Sequence, residues 1–255
     1  MSYNHSTTRL ADKVAFITGG NSGIGLATAI LFSEQGAKVV ITGRNQDSLD
    51  AAKAQIPGEV LALQANVNDL SDLSLAFDRA EQAFGKIDIV FANAGVGRFA
   101  PLEQTTEDVY DEMMETNVKG LFFTVQKALP HLSSGASVIL SGSFLSQVGV
   151  PNTSVLSATK AAVSSLGKSL AAELITQGIR VNTLSPGYIA TPFAARSGLP
   201  EEALNGLVES ALASTPLKRF GKPEEMAQAA LFLASEESSY LVGSEILADG
   251  GVVFA

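Results

Sequence analysis

Short, nearly continuous apolar runs alternate along the chain with longer stretches whose apolar positions recur at helical spacing. The runs at 13–18, 38–42, 60–64, 87–92, 136–141, 179–184 and 244–248 are rich in Val, Ile and Ala and predict strands. The stretches between them predict helices over 24–35, 47–55, 69–84, 106–128, 157–176 and 224–234, each closing near Gly, Pro or a polar cluster. Strands that are apolar on both faces, separated by helices, imply a parallel sheet covered on each side. The expected fold is α/β, a single doubly wound parallel sheet of about seven strands. No repeat, low-complexity tract or Pro/Gly/Ser linker divides the chain, so one domain is expected over 11–255 after a polar tail at 1–10.

Composition narrows the function. With 46% hydrophobic and 17% charged residues over 255 positions, the chain has ample material for a core. A net charge of −9 opposes a generic nucleic-acid binder, because phosphate backbones are repelled overall. Cysteine is absent, which removes disulfides, thiolate metal sites and cysteine nucleophiles together. The opening residues are polar, and no apolar run approaches the roughly 18 residues of a membrane helix. A cytoplasmic protein is expected. His5 and His131 have no partners at metal-ligand spacing, so no metal is expected. The pairs Glu201-Glu202, Glu224-Glu225 and Glu236-Glu237 read as first helix turns or solvated surface.

The first predicted strand runs into Thr18-Gly19-Gly20-Asn21-Ser22-Gly23-Ile24-Gly25, where a helix begins. Glycines there allow a tight turn and close approach of backbone N–H groups to a pyrophosphate, and the helix N-terminus adds partial positive charge. This is the Rossmann-type arrangement. The second strand ends in Gly43-Arg44-Asn45, where an NAD site would place an acid on the ribose 2′-hydroxyl. A guanidinium suits a 2′-phosphate instead, which favours NADP(H) over NAD(H), although Ser22 supplies no second basic group.

These features, taken with others in order, resemble the classical short-chain dehydrogenase/reductase family from about residue 10 to 252. The others are Asn93-Ala94-Gly95, Asn117-Val118-Lys119-Gly120, Ser143, Lys160 and Ser185-Pro186-Gly187 with Thr191. Arg219-Phe220-Gly221-Lys222-Pro223-Glu224-Glu225 and Asp249-Gly250-Gly251 complete the series. The branch it looks most like is that of NADP-dependent alcohol dehydrogenases and carbonyl reductases. The resemblance implies cofactor contacts from Thr18, Gly19, Asn21, Ser22, Gly23, Ile24, Gly25, Arg44, Asn66, Val67, Asn93, Ala94, Gly95, Lys160, Pro186, Gly187, Ile189 and Thr191. Asn66 stands where the family usually has an acid near the adenine. The implied catalytic set is Asn117, Ser143, Lys160 and a tyrosine.

That tyrosine is missing. Its place lies four residues before Lys160 and thirteen after Ser143, and both counts fall on Leu156. In the family a phenol gives the carbonyl oxygen its proton, and a leucine has none to give. General acid–base catalysis is worth roughly 10²–10⁴ in rate, so strongly impaired ketone reduction is expected. Lys160, one helical turn on, should still face the site and bond the nicotinamide ribose. Ser143 should still donate to the substrate, and Asn117 should still hold a kink and a water relay. Substitute donors are Tyr188, just after Ser185-Pro186-Gly187, or a water beside Lys160. Ser157 is turned roughly 100° away on the helix, and Tyr110 reads as a packing residue. The leucine fits an engineered change in an active parent, a natural route to different chemistry, or a non-catalytic NADP(H)-binding sensor or interaction protein.

By the same resemblance, residues 192–215 form a lid over the substrate. Phe144, Leu145, Val148, Val150, Phe193 and Leu199, with Tyr188, are candidates for an apolar substrate wall. Small residues Ala161, Ala162, Ser164 and Ser165, with the 106–128 helix, are where relatives make dimer contacts within a homotetramer. The expected substrate is a small ketone or secondary alcohol, with no nucleic acid or membrane as partner.

Overall fold

The computed structural model describes residues 8–193 and 201–254. Seven strands form one sheet: β1 (Val14–Thr18), β2 (Lys38–Gly43), β3 (Val60–Gln64), β4 (Ile87–Ala92), β5 (Leu132–Ser141), β6 (Arg180–Pro186) and β7 (Glu245–Ala248). All pairings are parallel and the order is β3-β2-β1-β4-β5-β6-β7. The chain winds outward one way from β1 and the other way from β4. Their carboxyl ends therefore flank the crevice where doubly wound sheets bind ligands.

Alternation along the strands divides the core between two faces. Val14 and Phe16 of β1 and Val40 of β2 pack with Leu73, Phe77, Val125, Val163 and Leu170. Ala15 and Ile17, with Val39 and Ile41, pack on the opposite face with Phe32, Leu49, Met226 and Leu231. One face is covered by α3 (Leu70–Phe84), α5 (Leu121–Ala128) and α6 (Ser154–Leu174). The other is covered by α1 (Gly23–Glu34), α2 (Gln46–Lys53) and α8 (Pro223–Ala234). Leu10 is 1% exposed and its amide bonds the Gln35 carbonyl at 2.9 Å, so the core already includes the last residue of the expected tail.

Two helices differ from expectation. The helix predicted over 106–128 is α4 (Glu107–Met114), a π-helical segment (Glu115–Gly120) and α5. The wide turn falls on Asn117, and such bulges are frequent at functional sites. Tyr110, expected to pack, is 47% exposed on α4. A helix that sequence analysis did not predict, α7 (Glu201–Ser214), lies within the expected lid. Residues 194–200 of that lid, with Leu199, lie outside the described residues, as does His5. No helix among the described residues is long and apolar enough to cross a membrane.

Candidate active site

A cavity of about 770 Å³ opens at the carboxyl ends of the strands. One end is the turn from β1 to α1. Gly19 and Gly23 hold φ of +64° and +53°, backbone that side chains beyond glycine disfavour. The first turn of α1 carries no acidic residue, which leaves its N-terminal field positive towards the cavity. Asn21, Ser22 and Ile24 line this end with both glycines. Thr18 and Gly25 do not line it and act from behind. The Thr18 hydroxyl accepts from the amides of Asn93 and Ala94, each at 3.0 Å, while Asn93 Nδ2 donates to the Thr18 carbonyl at 3.0 Å. Those bonds fasten the loops after β1 and β4 together, so Asn93, Ala94 and Gly95 reach the cavity in a set geometry. A Cβ at Gly25 would run into the Gly19 carbonyl.

Further along, Arg44 is exposed at the end of β2 and lines the cavity, with no ion-pair partner among the described residues. Asn66 and Val67 line the same end. The Asn66 side-chain oxygen is taken by the Asn68 amide at 3.1 Å. The buried Thr42 hydroxyl, also on the wall, has no hydrogen-bond partner among the described residues. A cradle of positive-φ glycines, an acid-free helix N-terminus and an exposed guanidinium fits a dinucleotide, with the phosphates at α1 and a basic group beside the ribose.

The other end carries the candidate chemistry. Ser143 follows β5 and caps a short 3₁₀ turn (Phe144–Ser146), its Oγ accepting from the Leu145 amide at 3.2 Å. Its hydroxyl proton is thereby aimed away from the turn. Lys160 lines the cavity from α6, and its Nζ donates to the Ser141 carbonyl at 2.8 Å. Desolvation alone lowers this amine to about 8. Asn117 is 1% exposed and does not line the cavity. Its amide bonds both backbone groups of Val96, at 2.8 and 2.9 Å, and the Thr159 hydroxyl at 3.2 Å, which ties the π segment to the loop after β4 and to α6.

Leu156 is 3% exposed, in the first turn of α6, and packs with Met113, Phe144 and Leu145. It lines the cavity as an apolar surface. Tyr188 also lines the cavity, its ring tilted at 58° against Phe144 with centroids 4.7 Å apart, and edge-on to Phe220 at 6.2 Å. Burial pushes its phenol above the usual value, opposed in part by a hydrogen bond with the Ser214 side chain. The Ser157 hydroxyl is paired with Thr153 at 3.0 Å, away from substrate chemistry.

Pro186, Gly187, Ile189 and Thr191 line the wall beyond β6. Phe144, Leu145, Val150 and Phe193 line the apolar end, whereas Val148 packs behind it with Leu156. The Phe193 ring lies directly on Gly97, where a Cβ would overlap its outer carbons. That pairing escaped sequence analysis because the two residues are far apart in the chain. Leu207, Val208 and Ala211 of α7 complete the wall. Their spacing with Leu204 is a helical signal that was there to be read.

Glu245, at the start of β7, escaped notice as well. One of its carboxylate oxygens accepts from the hydroxyls of Ser146, Ser164 and Ser185 at 3.3, 3.1 and 2.5 Å. These belong to the Ser143 turn, to α6 one turn beyond Lys160, and to the end of β6. His131, read as no metal ligand, bonds Glu81 at 2.6 Å and stacks on Phe77. No cluster of metal ligands occurs among the described residues.

A doubly wound sheet with a glycine loop at its switch point defines a dinucleotide-binding protein. The sequence matches the family described as enoyl-(acyl carrier protein) reductase over residues 19–253. Oxidoreductase asL5 of Sarocladium schorii is 44% identical over 246 residues, covering 96% of this chain and 97% of the relative. The 3-oxoacyl-[acyl-carrier-protein] reductase FabG of Thermotoga maritima is 40% identical, covering 96% and 99%. The NADP-dependent (R)-specific alcohol dehydrogenase of Lentilactobacillus kefiri is 37% identical, covering 96% and 98%. A short-chain type dehydrogenase/reductase from Mycobacterium marinum matches in structure with a TM-score of 0.89 at 33% identity, over 96% of this chain and 97% of that one. The chain belongs to the short-chain dehydrogenase/reductase family, whose members are oxidoreductases that bind a nicotinamide cofactor.

Proposed function

We propose that this chain is an NADP(H)-dependent oxidoreductase interconverting ketones and secondary alcohols by hydride transfer, slowed by Leu156 at the proton-donor position. The observation that carries the reading is that Ser143 and Lys160 line the same cavity as the glycine loop and Arg44, at its opposite end. The 2′-phosphate of the cofactor is met by Arg44, the pyrophosphate by the turn at Gly19–Gly23 and the N-terminus of α1, and the nicotinamide by Pro186, Gly187, Ile189 and Thr191. Bound there, the nicotinamide supplies or accepts the hydride. Ser143 donates to the substrate oxygen, Asn117 holds the π segment against the Val96 loop, and Phe144, Leu145, Tyr188 and Phe193 enclose the apolar part of the substrate. A relative described as an NADP-dependent alcohol dehydrogenase supports both the cofactor and the substrate class.

One observation favours a second reading, a cofactor-binding sensor without turnover: Leu156 is packed in an apolar cluster rather than left as an isolated intrusion. NADPH oxidation with a panel of ketones, for the chain beside Leu156→Tyr, separates the two. The first reading expects slow turnover with strong rescue by tyrosine. Tight NADPH binding with no turnover in either protein would overturn it.

A cytoplasmic homotetramer belongs to the same proposal. An apolar groove of about 330 Å³, lined by Met114, Val118, Phe122 and Leu166, runs along the helices where dimer contacts are expected and supports it. Light scattering of the purified chain tests the assembly.

A further inference from the structure

A carbonyl oxygen whose carbon receives hydride needs a proton, and Leu156 has none to give. The described residues lining the cavity include no Asp, Glu, His or Cys; their titratable side chains are Arg44, Arg98, Lys160 and Tyr188. Guanidinium groups do not release protons in proteins, and Arg98 is in addition held by both oxygens of Glu112, at 2.9 and 3.0 Å. The Tyr188 phenol is a weaker acid than usual and is engaged with Ser214. An aliphatic hydroxyl such as that of Ser143 is a weaker acid than either.

Lys160 is what remains, and its placement suits the task. It lies one helical turn beyond Leu156, so it rises on the face of α6 where the leucine stops short. Its one hydrogen bond among the described residues goes to the Ser141 carbonyl, two residues before Ser143. That leaves two of its three N–H groups for the cavity.

We propose that Lys160 is the proton donor of this chain, passing a proton directly or across one water to the substrate oxygen held by Ser143. The inference rests on the ketone reduction proposed above. The carbonyl carbon gains a C–H bond from the cofactor's hydride while the C=O π pair moves onto oxygen. A Lys160 N–H bond breaks as the O–H bond forms, and the neutral amine takes a proton back from solvent. Alcohol oxidation runs the same steps in reverse, with the neutral amine as base. An ammonium near 8 is better matched to neutral pH than a free phenol near 10.

The charged groups on the surrounding elements have partners other than Lys160. Glu112 of α4 holds Arg98, Glu115 and Lys119 of the π segment pair at 3.3 Å, and Glu245 of β7 accepts from three serines. Tyr188 faces the cavity from beyond β6 and is neutral at working pH. None of them forms an ion pair with Lys160, so desolvation governs its titration.

Three measurements test this. In the cofactor-free chain, acetylation of Lys160 followed by mass spectrometry should reach half its limiting rate at a pH of about 8, against about 10.4 for an ordinary surface lysine. In single-turnover ketone reduction, the rate should be level below pH 8 and fall about tenfold per unit above it. Lys160→Arg keeps the charge and the donor but not the acid. It should lose about 100-fold in that rate while NADPH affinity, read by fluorescence, changes only about threefold. A labelling midpoint near 10, a flat pH profile, or full activity of Lys160→Arg would overturn the proposal. Ketone reduction by Leu156→Tyr with none at all by the chain itself would also overturn it and would favour the cofactor-binding reading of the function. No ketone reduction by either, despite NADPH binding, would defeat the function and this inference together.

Discussion

The two ends of the cavity are built on different principles. At the glycine-loop end, recognition rests on backbone: positive-φ glycines, an acid-free helix N-terminus and a hydrogen-bonded seam between Thr18 and Asn93. At the Leu156 end it rests on side chains delivered by separate elements, Ser143 from the turn after β5 and Lys160 from α6. Backbone recognition depends little on side-chain identity outside the glycines themselves, because the contacts come from the main chain. Side-chain chemistry does not, since one substitution removes one function outright. A protein can therefore keep an intact dinucleotide cradle while its proton chemistry changes, which is the situation proposed for Leu156.

The largest expected effect sharpens this contrast. Leu156→Tyr should raise ketone reduction by about 10²–10⁴ while NADPH affinity stays within a few-fold, measured by steady-state NADPH oxidation and fluorescence titration. A parallel change in both quantities would show that the two ends are not independent. At the opposite end, Arg44→Glu replaces a charge-assisted contact by repulsion and should weaken NADPH binding about 10- to 100-fold, with little effect on NADH. Equal loss for the two cofactors would place Arg44 away from the 2′-phosphate.

Smaller effects probe the cavity mouth and its energetics. Gly97→Ala should push the Phe193 ring aside at little cost to stability, because the obstructed atoms are the far end of a flexible side chain. The Michaelis constant for bulky ketones should fall about two- to fivefold relative to small ones, as the opened mouth admits them more readily. Lys160→Met should raise the melting temperature by roughly two to four degrees at neutral pH. The sign follows from linkage. The amine titrates at about 8 when folded and near 10.5 when unfolded, so burial of its charge opposes folding at every pH below 8. That penalty, and with it the advantage of methionine, fades as pH rises from 8 to 10.5, which thermal melts across this range would record. A pH-independent gain would trace the effect to packing instead.

Much of this was legible in the chain. All seven strands and the glycine loop lie where apolar runs and spacing place them, since a strand buried on both faces must be apolar throughout. The continuous helix over 106–128 was the clearest misreading. Its periodicity is helical at both ends, and the six-residue π segment between them follows from Asn117 bonding to Val96, a contact between distant parts of the chain. Tyr110 was misjudged for a related reason, because an aromatic residue on an amphipathic helix does not reveal which way the face turns once the helix is interrupted.

By itself, then, the sequence determined the doubly wound sheet, the cradle at α1, the guanidinium after β2 and the leucine at position 156. These are local properties: hydrophobic period, glycine conformation, and residue identity at a given spacing. Tertiary structure alone decided that Phe193 closes on Gly97, that Glu245 gathers three serine-bearing elements behind the site, and that Lys160 stands at the wall with no counter-charge among the described residues. Desolvation and hydrogen-bond partnership are set by atoms brought together from distant parts of the chain, and they exist only once the sheet and its covering helices have packed.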